Sequence, residues 1–224
     1  MSLRESRALS RETKQSLKIM KKNNVYSLYL KLMKKYGRVG KWWPEWCCLK
    51  KSLNLRQEIA LGAILTQQTN WHNVEKALNN LKKAKLLSIE KIGRLKNLAK
   101  LENLIKPSGF YRIKAKRLYT FCSFIVKQYG SFKKLMKQDL IILRPQLLTI
   151  YGIGPETADS ILLYALDKPT FVIDEYTKRL VKQKKLAKKL SYDYLKKLFE
   201  KNLPVNVKLY QDFHALIVVD QKKK

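Results

Sequence analysis

Apolar residues recur along this chain at intervals of three and four, the spacing of one face of an α-helix. Val25, Leu28, Tyr29, Leu32, Met33 and Tyr36 make the first such face, and Gly37 is suited to end it. Residues 57–66 are almost continuously apolar and predict a central helix buried on all sides. Further stripes follow at Val74, Ala77, Leu78 and Leu81, and at Ala115, Leu118, Cys122, Ile125 and Tyr129, the latter closed by Gly130. Ala158, Ile161, Leu162 and Ala165 mark another helix, with Pro155 placed for its first turn. Ser191 predicts the cap of a helix through Leu195, Leu198 and Phe199, and Val207, Tyr210, His214 and Ile217 close the set. The only strand-like run is 170–173, which has no evident partner in the pattern. A lone strand makes no sheet, so the expected fold class is all-α.

Composition adds a partner to this picture. The chain has 224 residues, enough for one large domain or two small lobes. Its 46% hydrophobic content excludes general disorder. Lys and Arg number 48 against 17 Asp and Glu, a net charge of +31. A surplus of that size repels itself in a compact state and points to a polyanionic partner. Nucleic acid fits best, because each neutralised phosphate releases bound counterions. The Lys-rich stretch 182–189 reads equally as a solvated loop, a helix end or a phosphate contact.

A membrane is the rival polyanion, but the longest clean apolar run, 59–65, is far too short to span one. The first 24 residues are polar and charged, without the apolar region of a secretory signal. An intracellular location is expected, in the cytoplasm or with the nucleoid, wherever the genomic DNA lies. Cys47, Cys48 and Cys122 suggest no disulfide framework, and with His72 and His214 they match no standard zinc spacing. No structural metal is expected. Both histidines read as structural rather than as acids or bases.

The most informative stretch is Leu147-Leu-Thr-Ile-Tyr-Gly152-Ile-Gly154-Pro-Glu-Thr157-Ala-Asp-Ser, followed by Phe171-Val-Ile-Asp174-Glu-Tyr-Thr-Lys-Arg179. Glycines at 152 and 154 permit a tight turn and let an anion approach the backbone. The N–H groups at the start of the next helix would form a phosphate nest, with Ile153 pinning the hairpin to the core. Gly-x-Gly alone reads equally as an ordinary helix–turn–helix corner.

With the residues around it, the segment resembles the signature of the helix-hairpin-helix DNA glycosylases, a superfamily that includes endonuclease III. The resemblance runs from about residue 26 to 218. It takes in Leu65-Thr-Gln-Gln-Thr-Asn-Trp71, Pro107-Ser-Gly-Phe-Tyr-Arg-Ile-Lys-Ala115 and Asp212-Phe-His-Ala-Leu. Within the superfamily the likeness is nearest to the branch containing 3-methyladenine DNA glycosylase III, through Trp42-Trp43-Pro44. The resemblance implies two helical lobes, one from residues 1–54 and 167–224 and one from 55–166. The second would carry the helix-hairpin-helix motif at about 144–166, and a DNA-binding, base-flipping cleft would lie between the lobes.

It also implies roles. Asp174 matches the catalytic aspartate that stabilises positive charge developing on the sugar; an Asp there also reads as a helix cap, and the two uses are compatible. Gly152, Ile153, Gly154, Glu156 and Thr157 fall in the DNA-gripping hairpin. Gln68, with Gln67 beside it, matches the glutamine that fills the gap left by a flipped base. Phe110 lies where relatives insert an apolar wedge, with Tyr111, Arg112 and Lys114 as further DNA contacts. Trp42, Trp43 and Trp71 match pocket aromatics that would stack on a cationic methylated purine, or else they pack in the core.

Two departures from the family pattern are informative. Glu156 stands where bifunctional members place a Schiff-base lysine, so the resemblance implies base release without strand cleavage. Many relatives bind a [4Fe–4S] cluster through four cysteines, but no cysteine follows Cys122 here. No cofactor is therefore expected, beyond a monovalent ion that hairpin carbonyls of this family often coordinate. The expected activity is that of a monomeric glycosylase removing an alkylated purine from double-stranded DNA. The competing readings are a bifunctional glycosylase/lyase for oxidised pyrimidines and a non-catalytic DNA-binding module.

Overall fold

The computed structural model describes residues 24–39, 46, 47 and 50–222; Trp42 and Trp43 lie outside these. Every regular element among the described residues is helical, as the spacing of apolar positions predicts. They fall into two compact units, one holding 24–39 and 171–222, the other 46, 47 and 50–170. The expected lobe boundaries at 54/55 and 166/167 are thus displaced. Lys51 holds Asp167 at 2.7 Å, Lys168 N–H donates to Leu162 O, and Thr170 donates to Asp159. These bonds keep both connecting segments with the larger unit.

The first described helix, α1, Asn24–Tyr36, belongs to the smaller unit, and the chain then enters the larger one. There Ser52 caps α2 by accepting the Leu55 N–H, and that helix, Leu53–Leu65, is buried at Ile59, Ala60, Leu61, Ile64 and Leu65. Burial all round explains why its sequence shows no polar face. Helix α3, Trp71–Lys83, is capped by Asn70 and buries Val74, Ala77, Leu78 and Leu81. Short helices α4, Ile89–Gly93, and α5, Ala99–Ile105, lead to the long α6, Tyr111–Tyr129. Gly93 has no room for a side chain, since a Cβ would lie 2.7 Å from the Cys122 carbonyl oxygen; α4 and α6 meet backbone to backbone there. A single-turn α7, Phe132–Leu135, precedes the hairpin pair, α8, Leu140–Leu148, and α9, Pro155–Ser160.

The second hairpin helix is not one continuous α-helix through Ala165. From Ile161 to Ala165 it widens into a π-helix, in which Leu166 N–H bonds to Ile161 O. The Ala165 carbonyl accepts from Arg56 Nη1 at 2.7 Å. The pair is braced by a buried bidentate ion pair, Arg144 to Asp159 at 2.8 and 3.0 Å, with Thr170 Oγ1 as a further donor. Asp159→Ala would leave the guanidinium without this carboxylate. We expect a loss on the order of 3 kcal/mol, read as a lower urea midpoint with an unchanged slope.

The smaller unit comprises α1 together with α10, Glu175–Gln183; α11, Tyr192–Lys201; and α12, Val207–Lys222. Both α1 and α10 pack on α12, which is buried at every position from Tyr210 to Val218. Ser191 precedes α11 in extended backbone but makes no side-chain capping bond. Helix α10 ends at Gln183, and most of the basic stretch 182–189 is an exposed loop. The run 170–173 belongs to no helix or strand. Its Phe171 N–H donates to Glu200 Oε1, and the Phe171 ring stacks on Phe199 at 4.5 Å, beside Tyr210 and Phe213.

Candidate functional site

That aromatic anchor fixes the chain three residues before Asp174. Asp174 caps α10: its Oδ1 accepts from Thr177 N at 2.7 Å and from Thr177 Oγ1 at 2.8 Å. Its other oxygen lies 3.3 Å from His214 Nε2, and the two side chains are only 13% and 7% exposed. Burial pushes the carboxyl's pKa up. The charge of His214, its contact with Oδ2 and the two hydrogen bonds from Thr177 outweigh burial, so the net effect is a lowered pKa. The result is a shielded carboxylate kept ionised, aimed by Thr177 and faced by His214. His214, expected to be structural, therefore belongs with Asp174. No local signal announces it, because the two are brought together only by the packing of α10 on α12.

In the larger unit, Ile150 to Gly154 make the hairpin. Ile153 is buried and its N–H donates to Ile150 O, while Gly152 takes φ +81°. Gly154, Pro155 and Glu156 are exposed, and Thr157 is buried at the start of α9. Gln67 braces this turn. Its Nε2 donates to Gly152 O at 2.9 Å and Thr157 Oγ1 at 3.0 Å, and its Oε1 accepts from Arg117 Nη1 at 2.5 Å. The Arg117 stem lies so close beneath Gly152 that a Cβ there would meet it at 2.4 Å. Arg117 is the second residue the motif reading missed.

Gln68 and Phe110 share an unusual feature. Both take left-handed backbone, φ 52° and 44°, a region non-glycine residues seldom occupy. Both are exposed, Phe110 at 62%. Tyr111 and Arg112 follow Phe110, with the Arg112 guanidinium 5.8 Å from the Tyr111 ring centroid.

Lys114 is not a surface DNA contact as expected. It is 1% exposed, and its ammonium donates to Leu65 O at 2.7 Å and Ser108 O at 2.6 Å. Burial and the neighbouring Arg117 charge push its pKa down to about 8.

Of the expected pocket aromatics, Trp71 is half-buried, edge-on to Trp46 at 5.0 Å, and donates Nε1–H to Glu75 at 2.7 Å. Trp46 also lies against Tyr164.

The described residues contain no cluster of three or more His, Cys, Asp or Glu arranged to hold a metal ion. No helix among the described residues is long and apolar enough to cross a membrane.

A shielded, ionised aspartate capping a helix, together with a glycine hairpin joining two helices, defines a class. The chain belongs to the HhH-GPD superfamily of base excision DNA repair proteins, whose profile matches residues 61–205, and is a DNA glycosylase of base excision repair. It is 47% identical over 210 residues to the Methanocaldococcus jannaschii protein named "Putative DNA repair glycosylase MJ1434", covering 91% of each chain. To Thermotoga maritima endonuclease III it is 29% identical over 159 residues, 66% of this chain and 68% of that one. Among solved structures it resembles the H. pylori 3-methyladenine DNA glycosylase (MagIII) bound to 1,N6-ethenoadenine. The TM-score is 0.71 at 33% identity, over 93% of this chain and 97% of that one.

Proposed function

We propose that this glycosylase is monofunctional: it hydrolyses the N-glycosidic bond of an alkylated purine in double-stranded DNA, acts as a monomer inside the cell, and leaves an abasic site. The observation that carries the reading is Glu156. It stands exposed in the first turn after the hairpin, where a lyase of this superfamily places its lysine nucleophile. A carboxylate cannot form a Schiff base with the sugar. The substrate class is supported by the 33% identity to a 3-methyladenine glycosylase whose structure holds 1,N6-ethenoadenine.

The chemistry suits the residues. An alkylated, cationic purine is already a good leaving group, so the larger demand on the protein is to stabilise positive charge growing on the sugar. An ionised Asp174 supplies the opposing negative charge and can take the proton of the attacking water. The hairpin and the exposed Gln68 and Phe110 are assigned to holding phosphates and probing the base stack.

The test separates base release from strand cleavage on duplexes carrying 3-methyladenine-type lesions, 1,N6-ethenoadenine, uracil, thymine glycol or an abasic site. We expect release of the alkylated purines, intact strands before alkali, and no covalent adduct on borohydride reduction. A trapped adduct would refute the monofunctional assignment. Release of thymine glycol alone would refute the substrate class.

A further inference from the structure

The larger unit contains a charged assembly that neither the family match nor the proposed chemistry explains. Lys114 and Arg117 sit one turn apart on α6, and their contacts reach three separate segments. The Lys114 ammonium bonds the carbonyl of Leu65, the last residue of α2, three residues before Gln68. It also bonds the carbonyl of Ser108, two residues before Phe110. Arg117 grips Gln67, and Gln67 in turn holds the hairpin through Gly152 O and Thr157 Oγ1.

As plain core packing this arrangement is expensive. A buried ammonium sacrifices hydration worth several kcal/mol, and a methionine of similar length would fill the space without that loss. Arg117 Nε is itself buried with no hydrogen-bond partner among the described residues. Satisfying helix-end carbonyls is the ordinary use of such a lysine. Here, however, both carbonyls lie within three residues of an exposed side chain on left-handed backbone, Gln68 and Phe110. Residues held in such conformations persist only where their surroundings over-determine them.

We infer that Lys114 and Arg117 are positioning residues that lock the Gln68 segment, the Phe110 segment and the hairpin into one preformed reading head for interrupted base stacks. The inference rests on the proposed roles of Gln68 and Phe110 as probes of the stack. Because the latch holds both probes before DNA arrives, little ordering entropy remains to be lost on insertion. Without it the two segments move independently, and the hairpin still grips phosphate.

The test measures affinity at one fixed salt concentration for two duplexes, one unmodified and one carrying a tetrahydrofuran abasic analogue. Preference for the analogue reports insertion, and affinity for the unmodified duplex reports the phosphate grip. Lys114→Met and Arg117→Met are each expected to lower the preference about tenfold, while unmodified-duplex affinity stays within about twofold. A folded variant that keeps the wild-type preference, or loses both affinities in parallel, overturns the inference. If Lys114→Met does not fold, Arg117→Met carries the same decision alone. A wild-type protein with no preference for the analogue removes the probe roles themselves and the inference with them. That outcome is distinct, since it is seen before any variant is made.

Discussion

Asp174→Asn is expected to abolish base release, lowering the single-turnover rate on the order of a thousandfold, while DNA affinity changes little. Asparagine is nearly isosteric and caps helices about as well as aspartate, so the Thr177 N–H bond to the side chain survives. What disappears is the charge facing His214 and, in the reaction, the charge facing the sugar. The pH profile gives the same experiment a second arm. The folded-state pKa of Asp174 lies below its unfolded value. Its contribution to stability is therefore present above about pH 3.9 and is lost as pH falls through the folded value. The acid limb of base release set by this group should likewise fall below the ordinary aspartate range. His214→Gln should move that limb upward, because burial then acts with less opposition. An acid limb at or above the usual carboxylate range in the wild type would contradict this account of the site.

The second large effect is expected at Gly152. An alanine there must take φ +81°, which costs roughly 1–2 kcal/mol for a residue with a Cβ. Its Cβ would also overlap the Arg117 stem at 2.4–2.5 Å. Arg117 cannot swing aside without releasing Gln67, and releasing Gln67 frees the Gly152 carbonyl and Thr157. Because the strain falls on the hairpin backbone itself, which losing the Arg117–Gln67 contact alone does not reshape, Gly152→Ala should lower stability by about 2–3 kcal/mol and weaken DNA binding roughly tenfold or more. Gly154→Ala is the control. Its φ is −84°, and nothing lies within 4 Å of the place its Cβ would take, so its melting temperature should match the wild type. Equal destabilisation by the two substitutions would show that the hairpin's tolerance does not depend on Arg117.

Much of this was legible along the chain, because helices announce themselves through local spacing. The stripes at Val74–Leu81 positions and around Leu118 and Cys122 locate α3 and α6, and the glycine pattern locates the hairpin. Lys114 was legible too, though in a different register from the one used to read it. It precedes Leu118, Phe121 and Ile125 at steps of four, three and four, which places it on the buried stripe of α6. Its charge and the neighbouring wedge motif point instead to a DNA contact. His214 and Arg117 were hidden for another reason. Each acts through a partner distant in sequence, Asp174 and Gln67, and periodicity gives the face of a helix but not what that face meets. The widening at Ile161–Ala165 was equally invisible, since a π-turn shifts hydrogen bonds without changing which residues are apolar.

The left-handed backbone at Gln68 and Phe110 has a consequence for how this protein can change. Stability alone favours glycine or asparagine in that conformation, so a lineage or laboratory selection that rewards heat resistance without DNA repair would drift toward those residues at both positions. On the roles proposed for these two side chains, the need for them at the tips of the two turns opposes that drift.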